Sequence, residues 1–210
     1  LGVSTISITD HDTVDGISIA SHYARGKKIN IIPGIELSAY LEPSEIHILG
    51  YFIDIYNESL QKLLKQAHKD RIDRVHAMVE KLKRLNVIID PQEIFDLAGI
   101  GSPGRMHVAE IIYQHRYCNT IIDAFTRYIG DHGPAYVPKK TFNPRQAIEL
   151  IRDAQGVAVL AHPGLTQKDH VIEELVGYGL AGIEIHYPTH TPSAIEKYLK
   201  IAKKYHLTVT

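Results

Sequence analysis

The 210-residue sequence has one cysteine, two methionines, four phenylalanines and no tryptophan. A lone thiol, Cys118, excludes an internal disulfide and points to a reducing, cytoplasmic setting. No apolar run approaches the roughly 20 residues of a membrane-spanning helix, and the opening residues do not read as a signal peptide. An excess of either charge is also missing: 23 Lys and Arg face 24 Asp and Glu, a net charge of −1. A surface made for many phosphate-backbone contacts is more basic than this, which argues against duplex DNA as a partner. No repeat of fixed period and no low-complexity segment occur. Without Cys pairs or a His-Glu-x-x-His helix, a zinc finger or a zincin is unsupported. Gly99-Ile-Gly101 and Gly101-Ser-Pro-Gly104 are not phosphate loops, because no Lys-Ser/Thr follows and no strand precedes.

What is present in excess is histidine: 13, against four Phe and no Trp. The 44% apolar content suffices for one ordinary core or two modest ones. The chain opens on Leu1 rather than methionine, which suggests an excised or processed piece.

Val3 to Thr9 is a β-branched run and reads as a buried strand. An amphipathic helix from Asp15 to Lys27 follows. A strand at Ile29 to Ile32 is stopped by Pro33-Gly34, and Ile35 to Leu41 forms a third. Glu45 to Ile53 is a fourth, with Ile46, Ile48 and Gly50 alternating against His47, Leu49 and Tyr51. Short strands separated by helices argue for βα units. From Asn57 to Asn86 charge is dense and apolar residues recur at helical spacing. Further helices are expected over Pro91–Ala98, Arg105–His115 and Thr120–Ile129. Residues 57–133 therefore read as a helical insertion, the alternative being helices that coat the same core. The βα rhythm resumes with Pro134–Pro138 extended and a helix capped by Asn143-Pro144 running to Gln155. A strand at Gly156–Ala161, a helix at Asp169–Tyr178 and a strand at Ala181–His186 come next. Thr191-Pro192 caps a helix to Lys204, and Leu207–Thr210 begins a strand.

Working residues of α/β folds cluster beyond the carboxyl ends of strands. Those places hold Asp10-His11-Asp12, Glu36, His162-Pro163, and Glu184 with His186, while His47 lies on its strand. Such side chains are the nitrogen and oxygen ligands of zinc, manganese or iron. Any one His at a strand edge is more often hydrogen-bonded or solvated than a ligand. Glu36, however, lies in an apolar stretch, where an unpaired carboxylate is costly and a metal or an Arg would offset that cost.

Thr9-Asp-His-Asp-Thr13, Pro33-Gly-Ile-Glu-Leu-Ser38, Ile46-His-Ile-Leu-Gly-Tyr51 and Leu160-Ala-His-Pro163 resemble the polymerase and histidinol phosphatase (PHP) superfamily in order and spacing. Gly104-Arg-Met-His-Val-Ala109, Pro134-Ala-Tyr-Val-Pro138 and Gly182-Ile-Glu-Ile-His-Tyr-Pro-Thr-His190 are similar to its nucleoside 3′,5′-bisphosphate phosphatase branch, which also trims short RNA from the 5′ end. The resemblance implies a distorted (β/α)7 TIM-like barrel from residues 1–56 and 134–210, with a helical insertion at 57–133. It implies two or three divalent ions (Mn, Zn or Fe), with His11, Glu36, His47 and His162 as ligands and Glu36 bridging. It implies that Arg105 and His107 take the substrate phosphate, a planar guanidinium suiting that role; Lys139 or Lys140 would add charge there, the alternative being a solvated surface pair. Asp12 and His190 would orient or protonate groups near the leaving oxygen. The family's opening His-x-His and closing Asp-x-His are absent, so this chain should lack both ends of the barrel, hold fewer ions and expose a sheet edge. The expected activity of the intact protein is metal-dependent hydrolysis of a small nucleotide phosphomonoester and of short RNA. A histidinol phosphatase or a polymerase-associated nuclease shares the motifs. A non-catalytic metal- or phosphate-binding module is the reading from another class. Oligomeric state is left open.

Overall fold

The computed structural model describes residues 2–41, 44–139 and 142–210; Leu1 and Lys140 lie outside them. The chain divides into two compact units, Leu1–Leu64 with Thr141–Thr210, and Lys65–Lys140.

The first unit is a mixed α/β layer built on a six-stranded sheet in the order β1-β2-β3-β4-β5-β6. Its strands are β1 (Thr5–Ile8), β2 (Asn30–Leu41), β3 (Ser44–Tyr51), β4 (Val157–Leu160), β5 (Gly182–Ile183) and β6 (Thr208–Val209). β1 and β2, β4 and β5, and β5 and β6 run parallel. β2, β3 and β4 are successively antiparallel, so the expected run of βα units is interrupted by a hairpin.

Pro33-Gly34 does not stop a strand. β2 runs through both residues and changes partner there: Asn30 to Pro33 pair with β1, and Gly34 onward pairs with β3. A proline is tolerated where the strand is bonded on one side only. Glycine is required because a Cβ at Gly34 would lie 2.6 Å from Ser7 Oγ and 3.0 Å from the Gly50 carbonyl. β5 is shorter than the Ala181–His186 run suggested. Beyond Ile183 the chain leaves the ladder: Glu184 N–H donates to Leu160 O, while Ile185 and His186 N–H both donate to Thr210 O.

Period-two alternation sorts this sheet into two faces. Ile35, Leu37, Ala39, Ile46, Ile48, Ala158 and Leu160 join the main core with α6 (Pro144–Asp153), α8 (Ile172–Tyr178) and α9 (Pro192–Tyr205). The other face presents Glu36, Ser38 and His47 beside a small apolar cluster of Leu49, Val159 and Ala161. Gly50 lets α6 approach closely, since a Cβ there would meet Ile151 at 3.0 Å. The remaining helices of the unit are α1 (Asp15–Ala24) and the single turn α7 (Pro163–Thr166).

The second unit is helical: α2 (Glu58–Arg84), which begins in the first unit, α3 (Pro91–Ala98), α4 (Arg105–Gln114) and α5 (Ile121–Ala124), which continues as a wider turn through Ile129. Its own core includes Val75, Met78, Leu82, Ile94, Ile112 and Ile129. Asp90 caps α3 by accepting from Gln92 N–H, with Pro91 at the first helical position. Arg74 and Lys81, on one side of α2, donate to the carbonyls of Val137 and Tyr136. Those bonds tie down the segment expected to be extended, which makes a turn at Pro134-Ala135 and no strand.

Candidate metal centre

Four segments bring their side chains to one carboxylate. Glu36 projects from β2, and His47 stands on β3 opposite Ser38, hence on the face of Glu36. His11 follows β1, where it bridges to Glu36. His162 follows β4. Glu36 and His47 therefore sit inside an antiparallel hairpin, not at strand ends as the βα reading placed Glu36.

Glu36 Oε1 lies 2.8 Å from His47 Nδ1 and 3.1 Å from His162 Nε2. Those two nitrogens are 3.2 Å apart. Glu36 Oε2 faces His11 Nε2 at 3.6 Å. Burial pushes the Glu36 carboxyl up, but hydrogen bonds from His162 and His47, with the charges of His11 and His47, override it and hold it at about 2. Burial likewise opposes charge on His47, yet Glu36 and Glu45 raise it to about 9.

This donor set fits a divalent cation. If both His47 and His162 donate to Oε1, two N–H groups confront each other at 3.2 Å; a cation accepts all three lone pairs instead. Zinc-type bonds of about 2.1 Å place tetrahedral ligands about 3.4 Å apart, little more than the spacing present. His162 Nδ1 is buried with no hydrogen-bond partner among the described residues. The two oxygens of Glu36 face different imidazoles.

Asp12 lies next to this cluster but turns its carboxylate elsewhere. It is 3% exposed and accepts from Ser38 N–H at 2.9 Å and Ser38 Oγ at 3.2 Å. Asp12 N–H donates to Glu36 O, and Glu36 N–H to Asp10 O, so the loop carrying His11 is stitched to β2. His190 has both ring nitrogens on main-chain groups, Ile185 O and Gly164 N–H. His186 is exposed.

Sequence reasoning missed Ser38 and Glu45, and named Glu184 only among the ligand-type residues at strand ends. Ser38 and Glu45 each stand two residues from a ligand on the same strand face, a signal that period two makes readable. Glu45 Oε1 is 3.5 Å from His47 Nε2. Glu184 Oε2 accepts from His162 N–H at 2.8 Å.

In the helical unit, Arg105 opens α4, bonds Asp131 Oδ1 at 2.6 Å and lies 5.8 and 5.6 Å from the ring centres of Phe125 and Tyr136. His107 Nδ1 accepts from Gly104 N–H at 3.1 Å, which leaves the ring proton on Nε2. Lys139 is half-buried.

Fold and site together define a class: an α/β protein with a His/Glu cluster fitted to a divalent cation. No family model matches the chain. It is 35% identical over 164 residues to the 5′-3′ exoribonuclease Rnm of Salmonella typhimurium, an alignment covering 77% of this chain and 56% of that protein. It thus spans little more than half of that relative's length. It is 26% identical over 212 residues to the 3′,5′-nucleoside bisphosphate phosphatase of Chromobacterium violaceum, covering 96% of the chain and 73% of the relative. The crystal structure of a candidate metal-dependent phosphoesterase from Bifidobacterium adolescentis superposes on the whole chain and on 76% of its own length, with a TM-score of 0.90 at 26% identity. These relatives and this structural neighbour support a PHP-superfamily phosphoesterase, in line with the motif resemblance.

Proposed function

We propose that the whole protein is a cytoplasmic, divalent-metal-dependent phosphoesterase. It removes the phosphate of small nucleotides, nucleoside 3′,5′-bisphosphates above all, and shortens RNA from the 5′ end. The observation that carries this is the convergence of His47 Nδ1 and His162 Nε2 on Glu36 Oε1, with His11 on Oε2. The likeness to a 5′-3′ exoribonuclease and a 3′,5′-nucleoside bisphosphate phosphatase supports the substrate class.

In this reading His11, Glu36, His47 and His162 would hold divalent ions, two or three of Mn, Zn or Fe. Bound there, such ions lower the pKa of water and neutralise charge on phosphoryl oxygens. The chain's own groups do the rest. Arg105 exchanges Asp131 for a phosphoryl oxygen pair, its plane kept in place by Phe125 and Tyr136. His107 offers its Nε2–H to the same phosphate, and Lys139 adds charge. Asp12, fixed by Ser38, holds the His11 loop against β2. Residues 57–133 form the substrate-binding insertion, and the six strands are part of a distorted seven-stranded barrel.

Phosphate release from a nucleoside 3′,5′-bisphosphate by the full-length protein tests this, with metal analysis alongside. At least two divalent ions per chain are expected. Arg105→Ala should lower kcat/KM about 100-fold, as loss of one charge-stabilising donor does, with metal content unchanged. A well-folded, metal-free full-length protein would sink the reading, and an unchanged rate would remove Arg105 from the site.

A further inference from the structure

We infer that His190 is a positioning residue: it holds the His162 turn in its ligand geometry and moves no proton in the reaction. The inference rests on the metal-centre reading above and extends it. His162 has φ 27° and ψ 57°, a strained conformation for a residue with a Cβ that persists only where its surroundings enforce it. Two amides of this turn are gripped by side chains that follow β5. His162 N–H donates to Glu184 Oε2 at 2.8 Å, and Gly164 N–H donates to His190 Nε2 at 3.2 Å. Because Nε2 accepts, the proton of the neutral ring is on Nδ1, and that N–H donates to Ile185 O at 2.8 Å. Both nitrogens are consumed by the main chain. A general acid needs an N–H aimed at the leaving oxygen, and this ring has none to offer.

The ring is also wedged in place. A Cβ on Gly164 would lie 2.7 Å from His190 Cδ2 and Nε2, so glycine is what allows the imidazole to sit directly on the turn. The Tyr187 ring fills the space between the two histidines, 5.2 Å from the His162 ring and 5.5 Å from that of His190. The buried Tyr198 ring lies 5.7 Å from His190, with its hydroxyl bonded to Asp169. Removing the imidazole takes the partner from Gly164 N–H and the packing from Tyr187. His162 Nε2 is then free to leave Glu36 and His47.

Three variants decide the matter, each measured for Mn²⁺ affinity by the free-ion paramagnetic signal and, without metal, for amide hydrogen exchange. His190→Phe keeps a ring and removes both bonds. His190→Gln keeps an acceptor for Gly164 N–H but has no titrating proton. His162→Ala is the control for the centre itself. His190→Phe should weaken Mn²⁺ binding about 10- to 100-fold, the usual loss when an outer partner of a metal-holding histidine is removed, and should speed exchange across residues 162–166. His190→Gln should recover most of both, and in the full-length protein the pH profile of phosphate release should keep its shape. Wild-type affinity and exchange in His190→Phe would overturn the inference. So would a His190→Gln protein with full Mn²⁺ affinity and no turnover, the mark of a proton donor. If His190→Phe does not fold, Gly164→Ala, which pushes the ring off the turn, should reproduce its losses; normal Mn²⁺ affinity and exchange in it would overturn the inference. Equal, negligible Mn²⁺ binding by wild type and His162→Ala would refute the metal centre, and the exchange data would then decide the positioning role alone.

Discussion

Glu36 shows how one residue sets the electrostatics of the centre. Its side chain is 14% exposed and accepts from imidazoles on two other strand segments. Glu36→Gln keeps the shape but sets an NH₂ or a neutral oxygen against two nitrogens. Losing an outer partner already costs 10- to 100-fold, so Mn²⁺ affinity in this variant should fall more than 100-fold, as titration would show. Glu36 and His47 make metal-free stability depend on pH with opposite signs. The Glu36 carboxyl is lowered to about 2, so its contribution is complete above the unfolded value near 4.5 and disappears as pH falls through 2. His47 is raised to about 9, so its contribution is complete below about 6.5 and is lost as pH rises through 9. Urea midpoints of the metal-free chain should therefore plateau between about pH 4.5 and 6.5 and fall on both sides. His47→Asn should flatten the alkaline limb; an unaltered limb would refute this account.

At the scale of elements, the β2–β3 hairpin does the assembling. Alternation puts Ile35, Leu37 and Ala39 into the core and leaves Glu36 and Ser38 on the opposite face with His47. That much was legible, because the pattern of Ile46, Ile48 and Gly50 against His47, Leu49 and Tyr51 is a period-two signal. Pro33-Gly34 misled because a proline-glycine pair marks a strand end and a change of strand partner equally well. Only the tertiary register separates the two cases. The antiparallel turn of the hairpin was hidden for a related reason: nothing local distinguishes a strand that returns beside its neighbour from one that crosses over. The four candidate ligands could be named from residue type and motif order, whereas the hold of Ser38 on Asp12 spans 26 residues and leaves no local trace. The partner change yields a test. Gly34→Ala would set a methyl 2.6 Å from Ser7 Oγ and 2.7 Å from Thr9 Cγ2. Overpacking of this kind costs about 1–3 kcal/mol, which denaturant unfolding should register. A neutral result would mean that β1 yields easily.

At the scale of the whole molecule, the residues proposed for the chemistry fall in two units of the chain. His11, Glu36, His47 and His162 all belong to the sheet unit, while Arg105, His107 and Lys139 belong to the helical one. Among the described residues each unit has its own buried apolar cluster: Ile112 and Met78 are fully buried in the helical unit, Ile35 and Leu37 in the sheet unit. A ligand stabilises what it binds by an amount set by its concentration relative to Kd, about 2.7 kcal/mol at 100 times Kd. Mn²⁺ should therefore slow amide exchange in β2, β3 and residues 160–166, and leave the helices from Val75 to Ile129 unchanged. Ile112→Ala offers the converse. Truncating a buried isoleucine costs about 2–5 kcal/mol, so helical-unit exchange should quicken while Mn²⁺ affinity stays at the wild-type value. Protection spreading evenly over both units, or Mn²⁺ affinity falling in Ile112→Ala, would show that the two cores unfold as one, with the metal centre dependent on the helical unit as well as on the sheet.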